Sequence, residues 1–134
     1  MRRGLAWTVC AATAALAACD RGPGPGTLTG TVSGPSDLGA AVVEIVGSSV
    51  EGFEGLGATR AYDATLPEEK ALPPYVRKYR VLLIGEAAGD LRFGIRVRDV
   101  DDDFPAVSVV QAADAGNVPI LAAGVEARVV GPAR

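Results

Sequence analysis

From Leu91 to Val97 apolar and polar residues alternate without a break. Leu91, Phe93, Ile95 and Val97 fall on one side, and Arg92, Gly94 and Arg96 on the other, continued by Arg98. A period of two is the repeat of an extended strand with one buried face, whereas a helix would scatter these side chains around its circumference. The same period recurs. In Thr27 to Val32, Leu28 and Val32 oppose Thr27, Thr29 and Thr31, which reads as a surface strand; in Ala40 to Val46, Ala41, Val43 and Ile45 oppose Glu44; in Val125 to Val130, Val125, Ala127 and Val129 oppose Glu126 and Arg128. Tyr79 to Gly85 is nearly continuous in aliphatic residues and predicts a central strand buried on much of both faces. Ala106 to Ala112 adds a further strand and Ala58 to Tyr62 a short edge strand, while the Gly-rich stretch Glu51 to Gly57 fits no single assignment.

Turn chemistry separates these runs. Gly34-Pro35-Ser36-Asp37 closes the first strand, and Glu86-Ala87-Ala88-Gly89-Asp90 fits a hairpin loop between Tyr79–Gly85 and Leu91–Val97. The longest interruption runs from Asp63 to Lys78. Pro67-Glu68-Glu69 suits the first turn of a short helix, because proline needs no donor there and acids favour the dipole, and Pro73-Pro74 ends it after one or two turns. This insertion is expected to be a crossover between sheets. About seven short strands, frequent turns and no amphipathic helix of any length predict an all-β fold, an antiparallel sandwich of two sheets.

Gly85, Gly89, Leu91, Phe93, Val97 and Asp99, preceded by the Gly-flanked strand Ala40 to Val46, form a pattern similar to cohesin-like sandwich domains, with an immunoglobulin-like sandwich the alternative. The resemblance spans roughly the middle half of the chain and implies a sandwich. It departs from cohesins at the proline-rich insertion after Tyr62, and no partner-contact residue carries over.

The N-terminus reads as an address. Arg2 and Arg3 precede an uncharged stretch from Gly4 to Ala18 that closes on Leu16-Ala17-Ala18-Cys19. Arginines stay on the cytoplasmic side while the apolar stretch enters the membrane. At about 1.5 Å per residue this stretch falls short of the roughly 30 Å hydrocarbon core, so cleavage is expected rather than retention as a span. The segment resembles a bacterial lipoprotein signal with its lipobox. That resemblance implies that residues 1–18 are removed, that Cys19 carries the lipid and becomes the N-terminus, and that the product sits on the extracytoplasmic side of the cell envelope. An ordinary secretory signal cut at an Ala-x-Ala-like site is the alternative, with Cys19 a simple thiol. Asp20 resembles the inner-membrane retention signal of some Gram-negative lipoproteins. Residues 19–26 then read as a Gly/Pro tether that, extended at about 3.1 Å per residue, holds a 27–134 domain roughly 20 Å above a bilayer.

Removing residues 1–18 leaves 116 of 134, one domain, and side-chain charge moves to −5, with 11 basic against 16 acidic residues. An acidic balance argues against nucleic acid as a partner. Cys10 leaves with the leader and Cys19 is committed to lipid, so no disulfide is expected in the domain. The chain has no histidine. Ser-His-Asp and Cys-His catalysis are therefore excluded, together with imidazole- or thiolate-based metal and haem sites. No nucleophile elbow, Walker loop or Rossmann fingerprint is present, and no small-molecule cofactor is expected.

Three arrangements remain as candidates. Asp99, Asp101 and Asp103 alternate, the opening spacing of many calcium loops, although Phe104 stands where such a loop needs glycine and Val110 where its bidentate glutamate belongs. A solvated acidic turn is the simpler reading. Arg92, Arg96 and Arg98 make a basic stripe able to meet an anionic ligand, with cross-strand pairing to Glu44 or Glu126 the commoner outcome for such side chains. A carboxylate-dependent hydrolase would need Asp101 or Asp103 beside the Asp63 to Lys78 loop. The sequence thus favours a non-catalytic accessory or protein-interaction domain, held to the membrane through its N-terminal lipid and meeting an envelope protein partner.

Overall fold

A computed structural model describes residues 24–71, 73 and 77–132. The chain is an antiparallel β-sandwich. Its elements are β1 (Gly26–Ser33), β2 (Leu38–Val46), β3 (Val50–Gly55), β4 (Thr59–Asp63), the one-turn helix α1 (Pro67–Lys70), β5 (Lys78–Gly85), β6 (Leu91–Val97), β7 (Ala106–Asp114), β8 (Pro119–Ile120) and β9 (Glu126–Val130), with a 3-10 turn at Ala122–Gly124. Four strands form one sheet in the order β3-β6-β1-β9, and five form the other in the order β4-β5-β2-β7-β8.

Alternation decides what is buried. Leu28 and Val32 of β1, Ala41, Val43 and Ile45 of β2, Val81 and Leu83 of β5, and Leu91, Phe93, Ile95 and Val97 of β6 point between the sheets and make one core, each at most 2% exposed. Phe93 is its largest wholly buried side chain and lies directly across from Gly30, whose missing side chain leaves the space the ring fills. Phe53 and Tyr79 meet edge-on at 5.3 Å from opposite sheets, and the Tyr79 hydroxyl donates to the Val50 carbonyl, so this aromatic pair ties the sheets at one margin.

Several expectations are corrected. The strands number nine among the described residues, because the unassigned Glu51 to Gly57 stretch is largely β3 and Pro119-Ile120 forms β8. Thr27 to Val32 is no surface strand: β1 lies between β6 and β9, with only its threonine face turned outward. β5 is buried on one face alone, since Ile84 on the other is 40% exposed. Glu86 to Asp90 does not close a hairpin, for β5 and β6 belong to different sheets. Gly89, at φ +128°, lets this loop turn across the sandwich, and its N–H donates to Leu38 O of β2 while Glu86 N–H donates to Ala58 O. Conversely the Asp63 to Lys78 insertion joins neighbours within one sheet, β4 and β5, rather than crossing between sheets.

Consecutive strands therefore alternate between sheets almost throughout, and the fold has two poles. At the first lie the start of β1, the ends of β2 and β6 and the start of β7; Val100 N–H donates to Gly24 O there. The second holds the β1–β2 turn, the Glu86 to Asp90 loop and the segment from Asp114 to Pro119, joined by Ala115 N–H to Asp37 O.

Candidate functional site

The sequence candidates do not converge. Cys19 and the leader lie outside the described residues. Asp99, Asp101 and Asp103 sit at the first pole in the loop that leaves β6, where Asp99 Oδ1 accepts from Asp101 N–H at 2.9 Å. That bond is an Asx-type turn, the local closure that an aspartate side chain gives its own backbone. Among the described residues no group of three or more Asp, Glu, Cys or His side chains is placed to hold a metal ion.

The basic stripe occupies the outer face of the four-stranded sheet. Arg92 and Arg96 project outward from β6, and Arg98 follows its end, donating to Ser48 O at 3.1 Å. The expected pairing with Glu44 or Glu126 does not form. Glu44 belongs to the other sheet, where Lys78 approaches it at 3.4 Å and Arg80 at 3.8 Å, and Glu126 pairs with Arg128 on β9, which β1 separates from β6. Two glycines let the long side chains lie flat on this face. The Arg96 guanidinium crosses Gly52 of the neighbouring β3, and Glu54 lies over Gly94 between Arg92 and Arg96. The threonines Thr27, Thr29 and Thr31 line the adjoining strand.

Carboxylates of the Asp63 to Lys78 insertion are engaged locally. Asp63 accepts from Thr65 N–H at 2.9 Å and faces Lys70 at 3.6 Å; hydrogen bonding from Thr65, with help from the Lys70 charge, holds its carboxyl below the usual range against a smaller opposing effect of desolvation. Glu69 accepts from its own helix's Leu66 N–H at 3.2 Å and from Arg80 Nε at 3.0 Å. Desolvation pushes the Glu69 carboxyl up, but these two donors together bring it below its ordinary value. Glu69 gives half of a capping box, since Leu66 has no side-chain acceptor to return the bond. Asp63 ties α1 to the end of β4 through Lys70, and Glu69 ties it to β5 through Arg80.

Sequence reasoning missed an apolar groove. A groove of about 500 Å³ opens on the outer face of the five-stranded sheet near the second pole. Ala40 and Val42 of β2, Leu82 of β5 and Gln111 of β7 form its floor, and the segment Asn117 to Ala122 makes one wall. No charged residue lines it. Leu121 on this wall is 84% exposed, the most exposed large apolar side chain of the described residues. Asn117, at φ +63°, and the carboxylate of Asp114, accepting from Gly116 and Val118 N–H, shape the turn that leads into the wall. The signal in the sequence was the uncharged run Val118-Pro119-Ile120-Leu121-Ala122-Ala123, which reads as neither a clean strand nor a clean turn.

No family model, no curated protein and no solved structure matches this chain.

Proposed function

We propose that the chain is a lipid-anchored, extracytoplasmic domain without catalytic activity, whose work is to hold a protein partner at the cell envelope. The observation that carries this reading is polarity. Gly24, the point at which the described chain begins, lies at the first pole, while the uncharged groove and Leu121 lie toward the second. With Cys19 in a bilayer and the Gly/Pro segment as tether, the groove faces away from the membrane, where proteins rather than lipid tails meet it. The acids of Asp99 to Asp103 sit at the membrane-proximal pole in this orientation, and their charge opposes flat adsorption of the domain onto anionic headgroups.

A contiguous exposed apolar patch marks an interaction surface, and Leu121 is the side chain of this one that stands furthest into solvent. The partner suited to this one presents aliphatic side chains without a compensating charge, because no charged residue lines the groove. Photo-crosslinking from position 121 of the full chain in intact cells tests the reading. One dominant adduct that disappears when Leu82→Asp is introduced into the floor is expected. Absence of any adduct from position 121, or adducts equal to those from position 29 on the opposite sheet, contradicts it.

A further inference from the structure

Register on the four-stranded sheet sets two arginines astride one hydroxyl. Thr31 of β1 is opposed by Arg92 of β6 on one side and by Arg128 of β9 on the other. Residues opposed across an antiparallel ladder share a face, and Val32, Leu91 and Phe93 fill the inner one, so all three side chains project outward. Neighbouring strands lie about 4.7–4.9 Å apart, which sets the two arginine Cα atoms roughly 10 Å apart with the threonine midway. A cavity of about 280 Å³ opens at this place, lined by Thr31, Ser33, Glu126, Arg128 and Val130. Among the described residues no carboxylate lies within ion-pair distance of Arg92, and Glu54, one row away over Gly94, reaches neither Arg92 nor Arg96. Arg128 meets the single oxygen Oε1 of Glu126 at 3.4 Å, a long contact between two largely exposed side chains.

We propose that Arg92, Thr31 and Arg128 form a binding site for a phosphate monoester whose carbon skeleton carries hydroxyl groups. Count and charge select the phosphate. Two guanidinium forks and a hydroxyl offer donors to three acceptor oxygens, the number a phosphate monoester presents, whereas a carboxylate has two. Its charge of about −1.5 to −2 at neutral pH balances two guanidiniums, which a carboxylate does not. Ser33 and Glu126 in the same cavity supply partners for hydroxyls on the neighbouring carbons. No aromatic ring lines the cavity, so recognition falls to the phosphate and not to stacking. Glu126 also competes with the phosphate for Arg128 and so weakens the site it lines. The groove belongs to the other sheet, and this inference holds whether or not the groove has a protein partner.

The full chain, isotope-labelled and purified in a non-ionic detergent, supplies the test by NMR. Titration with glycerol phosphate is expected to move the backbone amide signals of Thr31, Arg92 and Arg128 along one saturable curve, and to leave those of Ala40, Val42 and Leu82 on the other sheet in place. R92A and R128A each weaken binding roughly tenfold, the loss of one charge-assisted arm. R92K weakens it severalfold, because lysine keeps the charge and loses the fork. E126Q tightens it, since the competing charge is gone. Arg92, Glu126 and Arg128 are exposed, so these variants leave the core intact. Vesicles of phosphatidylcholine with phosphatidic acid distinguish the source of the phosphate: competition with glycerol phosphate marks a lipid headgroup as a ligand, and lack of competition marks a soluble ester. A linear response without saturation overturns the proposal, as does wild-type binding by R92A, R92K or R128A, or a failure of E126Q to tighten it.

Discussion

Gly30 and Phe93 show how one residue sets the thickness of this core. The Phe93 ring lies against the Gly30 backbone across the β1–β6 ladder, and a methyl group on Gly30 would run into three ring carbons. Phe93 is wholly buried, so the ring has no solvent side to retreat to. Forcing an extra carbon into such a site costs typically about 1–3 kcal/mol in displaced rotamers and backbone. G30A is therefore expected to lower the unfolding free energy measured by urea denaturation by an amount in that range, with a lower midpoint, and the double variant G30A/F93L to recover part of it. An unchanged midpoint in G30A would show that the ring is free to move. Nothing in the sequence singled out Gly30, because a glycine inside an alternating run carries no record of the partner above it.

At the scale of elements, legibility followed the source of each signal. Leu91 to Val97 was readable as a strand, with its buried and exposed faces assigned, since period-two alternation is a local consequence of one-sided burial. Partnership is not local. Glu86 to Asp90 has the length and composition of a hairpin loop and yet links different sheets, because the atoms that hold it, Leu38 O and Ala58 O, belong to strands far away in sequence. β1 was misplaced for a related reason: its threonines suit an exposed face whether the strand is central or at an edge. The short helix was legible from Pro67, but its attachment was not. Glu69 reaches Arg80 on β5, and that pair together with Asp63, Thr65 and Lys70 fastens the insertion to its sheet. The folded state holds the carboxyls of both Glu69 and Asp63 below their ordinary values of 4.5 and 3.8. A carboxyl lowered by folding contributes stability that is present above its unfolded value and lost as pH falls through its folded one. The thermal stability of the wild-type chain should thus fall as pH drops below about 4.5, and E69Q should flatten that decline while starting lower at neutral pH. Equal pH slopes for the two proteins would mean that the Glu69–Arg80 contact contributes nothing to holding α1.

The described part of the molecule is organised along one axis, from Gly24 at the first pole to the groove near the second. Sequence candidates for chemistry each have their own surroundings: the acidic turn at the first pole, the arginines on the outer face of the four-stranded sheet, and the carboxylates of the insertion bound to their own neighbours. The groove was hidden from sequence because it is assembled from β2, β5, β7 and the segment after Asn117, each contributing one or two ordinary aliphatic residues. An orientation with that groove facing away from a membrane depends on the attachment of Cys19. One acyl chain gives only marginal binding, whereas the diacylglycerol expected on a lipobox cysteine holds a protein stably at the bilayer. Labelled palmitate fed to cells expressing the full chain, followed by detergent phase partition, measures that attachment. The wild-type chain is expected to take up label and enter the detergent phase, while C19A takes up none and stays in the aqueous phase or uncleaved. A wild-type chain that carries no label and partitions with water would contradict the anchored orientation.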